Sequence, residues 1–170
     1  MIIRQETKKD FNEVYRLVKE AFETARVSNG KEQDYVNELR ASTKYIPELS
    51  LVVEDQKKLI AHIILSKFNI KGSSDSKIKP LLLGPVCVML GYRNEKIGEK
   101  LIRNSFEIAK KLGYNCIFLV GDPNYYYRMG FRQAIEYGIR CEDKIESKFV
   151  LATELVPNTL KDVKGTISFL

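Results

Sequence analysis

LLLGPVCVMLGYRNEKIGEKLIRNSFEIAKKLG, residues 81–113, decides the fold. The apolar run 86–89, with Val86 and Val88 both β-branched, reads as a buried strand, and the GYRNEK loop leads directly from it into a strongly periodic helix. Ile97, Leu101, Ile102, Ile108, Ala109 and Leu112 form one apolar stripe, while Glu99 with Arg103 and Glu107 with Lys111 are i,i+4 pairs on the wet face. Gly113 supplies the C′ stop. The loop therefore places the backbone N–H groups of Arg93, Asn94, Glu95, Lys96, Ile97 and Gly98 at the positive end of the helix dipole. Unpaired donors and the missing side chain of Gly98 make this a candidate phosphate cradle.

Working outward, residues 2–6 read as an opening strand, and Thr7 caps a helix with Asp10 at N3 and Phe11, Val14, Leu17, Val18, Ala21 and Phe22 repeating at three and four. A second, more polar helix over 32–42 offers only Tyr35, Val36 and Leu39 for burial, which suits a layer over a cleft. Residues 49–54, a turn at 55–57 and residues 59–65 form an apolar hairpin, and a Gly-Ser-Ser-Asp-Ser loop at 72–76 precedes the next strand. Gly84-Pro85 removes one side chain and one ladder donor from that strand, so it bulges or splits there. Residues 115–120 are the following strand, 124–129 a short helix or turn, and closing strands come from residue 131 onward and from 148–155. The expectation is an α/β (α+β) sheet with helices on both faces in a single domain, residues 1–170.

Composition narrows the function classes. The three cysteines, Cys87, Cys116 and Cys141, are an odd number and widely spaced, and with one histidine they support neither a disulfide framework nor a metal-ligand cluster, so no metal is expected. The N-terminal MIIRQETKKD is charged from Arg4 onward, and nowhere do eighteen apolar residues run together. Neither secretion nor a membrane partner is indicated, and the cytoplasm is the expected location. A formal charge of +6, from 28 basic and 22 acidic residues, favours anionic ligands. A phosphate-rich cofactor satisfies that as well as nucleic acid does. A nucleic-acid module would show a helix-turn-helix, zinc-knuckle or RNP-like pattern, and Tyr125 to Tyr127 are not interleaved with basic residues as a stacking platform needs.

The 81–113 stretch resembles motif A of the GCN5-related N-acetyltransferases, [Q/R]-x-x-G-x-[G/A] after a strand. Arg93, Lys96 and Gly98 fill its three fixed positions, with Lys96 replacing the first glycine. Residues 121–131, GDPNYYYRMGF, resemble the GDPxYYxRFGF block of the family's YhbS-like branch. Leu39-Arg40, Ala61-His62-Ile63, Leu83-Gly84-Pro85 and residues 149–155 match as well, so the likeness covers nearly the whole chain. It implies a mixed, mostly antiparallel sheet of about seven strands, with a split strand pair at an acetyl-CoA slot. It also implies transfer of an acetyl group from acetyl-CoA to a primary amine, on a small molecule or a peptide, by direct attack on the thioester in a monomer or homodimer.

Under that resemblance the phosphates occupy the cradle, Val86, Cys87 and Val88 pair with the pantetheine amides, and the Val88 N–H faces the thioester carbonyl. Tyr126 falls at the family tyrosine near the CoA sulfur, whereas its spacing alone suits a core or rim aromatic. An unshifted tyrosine protonates a thiolate uphill by roughly 1.5 pK units, so its contribution is moderate. The general base is open among His62, Glu54, Asp55, Asp122 and a water chain; His62 in an apolar strand suits a hydrogen-bonded structural role, and Asp122 suits holding the turn before Pro123. Lys96 raises a competing possibility, a degenerate acyl-CoA-binding sensor or partner protein. If the backbone there is already right-handed helical, the lysine costs little and its ammonium swings outward beside a phosphate.

Overall fold

The computed structural model describes residues 1–170. β1 (Ile2–Gln5) pairs antiparallel with β2 (Tyr45–Asp55), which pairs antiparallel with β3 (Lys58–Lys67). The β2–β3 turn is two residues, Gln56 and Lys57, at φ 46° and 64°; positive φ at both positions matches the right-handed twist of the flanking strands. Between β1 and β2 come α1 (Phe11–Glu23) and α2 (Glu32–Arg40). The chain continues through β4 (Pro80–Val88), α3 (Ile97–Lys111), β5 (Cys116–Val120), α4 (Pro123–Tyr126), β6 (Arg132–Gln133), β7 (Ile139–Cys141), β8 (Val150–Glu154) and β9 (Gly165–Ile167). Seven strands form one sheet in the order β1-β2-β3-β4-β5-β8-β6. The β5–β8 and β6–β8 pairings are antiparallel and β4–β5 is parallel, giving the expected mixed, mostly antiparallel architecture.

Met1–Ser66 and Leu83–Ile108 make one compact unit, Lys67–Leu82 and Ala109–Leu170 a second. In the first, Val14, Leu17, Val18 and Ala21 of α1 and Val36 and Leu39 of α2 bury against Val52, Leu59, Ile64 and Cys87. The α1 repeat at three and four thus faces the strands. Asp10 accepts from the Thr7 N–H at 2.7 Å and the Thr7 hydroxyl at 3.0 Å, fixing the entry to α1. In the second unit Cys116, Phe118, Val150 and Ala152 join Ile139, Leu160, Val163 and Ile167. No helix is long and apolar enough to cross a membrane.

Two local expectations are corrected, and one strand pair is new. α3 stops at Lys111, so Leu112 is 41% exposed instead of closing the stripe, and Gly113 takes the left-handed cap at φ 90°. β2 starts at Tyr45, with its register shifting between Tyr45 and Ser50, where Pro47 has no N–H to donate. β7 and β9 form a parallel pair of three residues each, too short to show alternation in the sequence. The β4–β5 register runs from Pro80–Cys116 to Leu82–Phe118 and so ends just before Gly84-Pro85. At Gly84 a β-carbon would lie 3.0 Å from the Ile64 carbonyl oxygen, so the absent side chain permits that approach.

Gly165 is constrained by space. A β-carbon there would overlap the Lys71 carbonyl oxygen and lie 2.7 Å from Ile70 Cγ2, beside the Lys71–Thr166 bridge. Gly165→Ala therefore destabilises by roughly 1–3 kcal/mol, lowering the thermal midpoint by about 5 °C in calorimetry. An unchanged midpoint would show that this bridge yields without cost.

Candidate functional site

β4 ends at Val88, and the Met89 N–H donates to the Ile60 carbonyl at 2.8 Å, tying the strand end to β3. A 3-10 turn over Leu90–Tyr92 follows, its Tyr92 hydroxyl donating to Asp55 at 3.3 Å. Arg93 then fixes the loop: Nε donates to the Val88 carbonyl at 3.1 Å, Nη2 to the Ala21 carbonyl at 2.8 Å and Nη1 to the Thr24 hydroxyl at 2.8 Å. The last carbonyls of α1 lack intrahelical donors and carry the negative end of its dipole, so a guanidinium is well matched there. The Arg93 side chain clamps the loop to α1, and the phosphate-facing role proposed for this segment rests on its backbone.

Asn94 and Lys96 stand at φ 68° and 59°. The first is a residue type that tolerates left-handed backbone; the second is not. Lys96 is therefore outside the right-handed helix, which overturns the condition under which it would cost little. Its side chain is exposed. The Lys100 N–H closes on the Lys96 carbonyl at 3.0 Å, so the N–H groups of Ile97, Gly98 and Glu99 precede the first rung of α3. Ile97 and Gly98 are buried, Lys96 and Lys100 are exposed cations beside them, and Glu99 is paired with Arg103 at 3.0 Å. Donors at a helix N-terminus, a residue without a side chain and two flanking cations suit a pyrophosphate.

In β4, Cys87 is buried, and burial pushes its thiol up to about 12 against the opposing effect of the His62 backbone. It is a core thiol and not a nucleophile. Val86 and Val88 flank it half-buried. Among the other proposed bases, Glu54 is paired with Arg4 at 2.9 Å and Asp55 accepts from Tyr92.

Tyr126 lies in the second unit, and its local setting explains the GDP block. Asp122 accepts from the Asn124 N–H at 2.9 Å and caps α4, Pro123 occupies its first turn, and Gly130 closes the segment at φ 92°. The Tyr126 ring stands edge-on to Tyr125 at 4.9 Å and to the buried Phe131 at 5.5 Å. A β-carbon on Gly121 would come within 2.6 Å of Tyr126 Cε2, so the glycine seats the ring. Burial, then Tyr125 and Asp122, raise the phenol above its ordinary pKa and keep it protonated.

Sequence reasoning missed a buried polar cluster in the first unit. Arg40 holds Glu6 with two bonds, Nη2–Oε2 at 2.6 Å and Nε–Oε1 at 3.0 Å, and lies 4.0 Å over the Phe11 ring. Ser50 and Tyr45 donate to Glu6 Oε1 at 2.5 and 3.2 Å, and His62 Nε2 is 3.4 Å from Oε2. Burial pushes the Glu6 carboxyl up, but donors on His62, Arg40 and Ser50 outweigh it and hold it at about 2. Burial keeps His62 below its ordinary value despite the attraction of Glu6, so the ring is neutral and Arg40 is the cation of the cluster. The available signal was a lone histidine inside an apolar strand together with Arg40 on a polar helix.

Residues 2–134 match the family described as Acetyltransferase (GNAT) domain. The chain is 32% identical over 109 residues, 64% of its length, to the uncharacterized N-acetyltransferase YjhQ of Escherichia coli K12, a match spanning 60% of that protein. It is 24% identical over 99% of its length and 96% of the other's to the uncharacterized N-acetyltransferase YhbS of the same strain. The crystal structure of Escherichia coli YhbS in complex with CoA superposes with a TM-score of 0.87 at 24% identity, covering 99% of this chain and 89% of that one. A GNAT family acetyltransferase from Brucella melitensis in complex with acetyl-CoA superposes with a TM-score of 0.79 at 28% identity, covering 99% and 95%.

The Glu6–Arg40 pair makes a stability prediction with a defined sign. A carboxylate depressed from 4.5 to about 2 contributes stability above pH 4.5 that is lost as the pH falls toward 2. Asp10, held low chiefly by Arg4, acts in the same direction. The thermal midpoint therefore falls progressively as the pH drops from about 4.5 toward 2. Arg40→Met leaves Glu6 buried and unpaired, costing about 3–5 kcal/mol at pH 7, and this loss shrinks in acid as Glu6 is protonated. Equal losses at pH 7 and pH 3 would show that Arg40 acts by packing alone.

Proposed function

The chain belongs to the GNAT acetyltransferase family, and from that premise we propose that it transfers an acetyl group from acetyl-CoA to a primary amine by direct attack on the thioester. The observation that carries this reading is the start of α3, where the N–H groups of Ile97, Gly98 and Glu99 precede the helical ladder between the exposed Lys96 and Lys100. Those groups hold the pyrophosphate, with Arg93, Asn94 and Glu95 shaping the approach. Residues 86–88 offer a strand edge to the pantetheine amides, and the Val88 N–H polarises the thioester carbonyl as charge develops on its oxygen. The relatives in complex with CoA and acetyl-CoA support the choice of donor. Calorimetry with acetyl-CoA, followed by free-thiol release over a panel of amines, tests it.

The amine attacks as the free base, its C–N bond forms as the C–S bond breaks, and CoA departs as a thiolate that ends as a thiol. Tyr126 supplies a hydrogen bond to the departing sulfur. Its raised pKa makes complete proton transfer more unfavourable than for an ordinary tyrosine, so its share of the rate is small. Tyr126→Phe should lower kcat by no more than about 10²-fold, the low end for acid–base groups, with little change in KM for acetyl-CoA. A fall of 10⁴-fold would make Tyr126 an obligatory acid, and an unchanged kcat would make it purely structural.

Lys96 tests the cradle and the competing sensor reading together. Left-handed backbone costs a non-glycine residue about 1–2 kcal/mol, so Lys96→Gly stabilises the chain, raising its midpoint by roughly 2–6 °C. The lost ammonium is an exposed charge worth about 0–1 kcal/mol, so acetyl-CoA affinity changes less than tenfold. Gly98→Val crowds the donors and abolishes measurable binding, and added salt weakens the wild type. A hundredfold gain in affinity on Lys96→Gly would identify the natural loop as a damaged cradle and favour a sensor or partner protein over an enzyme.

A further inference from the structure

Of the side chains weighed as the base, three have structural partners: Glu54 with Arg4, Asp55 with Tyr92 and Asp122 with the start of α4. His62 differs. Its Nε2 lies 3.4 Å from Glu6 Oε2 and 3.4 Å from Ser50 Oγ, and the Ser50 hydroxyl is already donated to Glu6 Oε1. Arg40 holds Glu6 as an anion, and an anion only accepts. Nε2 therefore carries the single ring proton of the neutral imidazole, a tautomer assigned from these partners. Nδ1 is left as a lone pair, buried and without a hydrogen-bond partner. Buried polar atoms are usually partnered, so this lone pair is one of few in the fold still free to accept a proton.

The location fits an arriving ammonium. His62 pairs with Val52 of β2, and its backbone faces the Cys87 thiol, the centre of the 86–88 edge assigned above to the thioester arm. Neighbouring strands are about 4.8 Å apart. His62 lies on the same face of β3 as Ile64, which shares its core with Cys87 and with Val36 and Leu39 of α2. The groups around the ring are the anion Glu6, the cation Arg40, the Ser50 and Tyr45 hydroxyls and the Cys87 thiol, the last two with pKa values raised to about 12.

We infer that His62 is the proton acceptor of the acetyl transfer, with Nδ1 receiving the proton, Glu6 positioning the ring and Arg40 keeping Glu6 ionised. This rests on the acetyltransferase reading. One N–H bond of the acceptor's ammonium breaks and its proton passes to Nδ1, giving an imidazolium beside Glu6. The freed nitrogen lone pair forms the C–N bond, the C–S bond breaks, and the thiolate takes the second nitrogen proton, leaving amide and thiol. The imidazolium returns its proton to water. The ring has no exposed surface, so the transfer needs local opening at the ring while Arg40 stays on Glu6.

The chain holds one histidine, so imidazole ¹⁵N NMR reads this ring alone. At pH 7.5 the expected spectrum is the neutral Nε2–H tautomer with Nδ1 unprotonated; a proton on Nδ1 would overturn the inference even if no variant folds. In His62→Gln the amide keeps a donor toward Glu6 and the receiving nitrogen is gone. Tested with an alkyl diamine, a peptide α-amine, a lysine side chain and an amino sugar, this variant should lose 10²–10⁴-fold in kcat on whichever amine the wild type accepts, with the acetyl-CoA Kd within threefold. A kcat within threefold of the wild type would also overturn it. Absence of both acetyl-CoA binding and thiol release in the wild type would sink the acetyltransferase reading and this inference with it, an outcome separate from a failure of His62 alone.

Discussion

Arg93 holds three chain segments with one planar group. Its nitrogens reach the carbonyl at the end of β4, a carbonyl at the end of α1 and the Thr24 hydroxyl, partners 5 to 72 residues away in sequence. Beyond the 3-10 turn at Leu90–Tyr92 the chain from β4 into α3 has no regular ladder, and this clamp steadies a stretch that contains two left-handed residues, Asn94 and Lys96. Bonds to a charged donor are worth about 1.5–3 kcal/mol each where they are shielded, enough to offset the backbone strain at Lys96. The strain and the clamp belong together. A loop forced to leave its helix-start donors facing outward is costly to hold, and the guanidinium is what holds it.

The Glu6–Arg40 pair does for α2 what Arg93 does for the end of α1. α2 is short and polar, with Gln33, Val36 and Leu39 buried, and hydrophobic area alone anchors it weakly. A bidentate pair with both side chains nearly inaccessible gives it one position. Buried pairs are often no more stabilising than apolar substitutes, and their best-supported benefit is a unique arrangement. Here that arrangement also orders the Ser50 hydroxyl, the Tyr45 hydroxyl and one face of the His62 ring. Stability and the electrostatics of the ring are thus set by the same carboxylate.

Periodicity and capping made the strand, loop and α3 legible, because the signals are local: the apolar stripe, Gly113 and the helix-start glycine. At Gly84-Pro85 the sequence suggested a bulge or split; β4 itself runs unbroken through both residues, and it is its pairing with β5 that ends just before them. The φ of Lys96 was not, because it depends on where the first helical rung closes, and that is set by a clamp from residues about 70 positions earlier. Glu6 escaped notice because it becomes remarkable only after β1 lies beside β2 and its N–H reaches the Ser50 carbonyl, bringing Arg40, Ser50 and His62 around one carboxylate. Tyr126 was found through its motif, yet the reason the motif begins with glycine is a ring contact that no spacing reveals.

In the proposed reaction the start of α3 and the adjoining end of β4 receive the phosphates and the thioester arm. Backbone amide NMR during titration with acetyl-CoA tests it most directly. The largest shift changes should fall at the N–H groups of residues 94–99 and 86–88, with saturation at one equivalent. Saturable changes confined to other segments, with these amides unmoved, would contradict it.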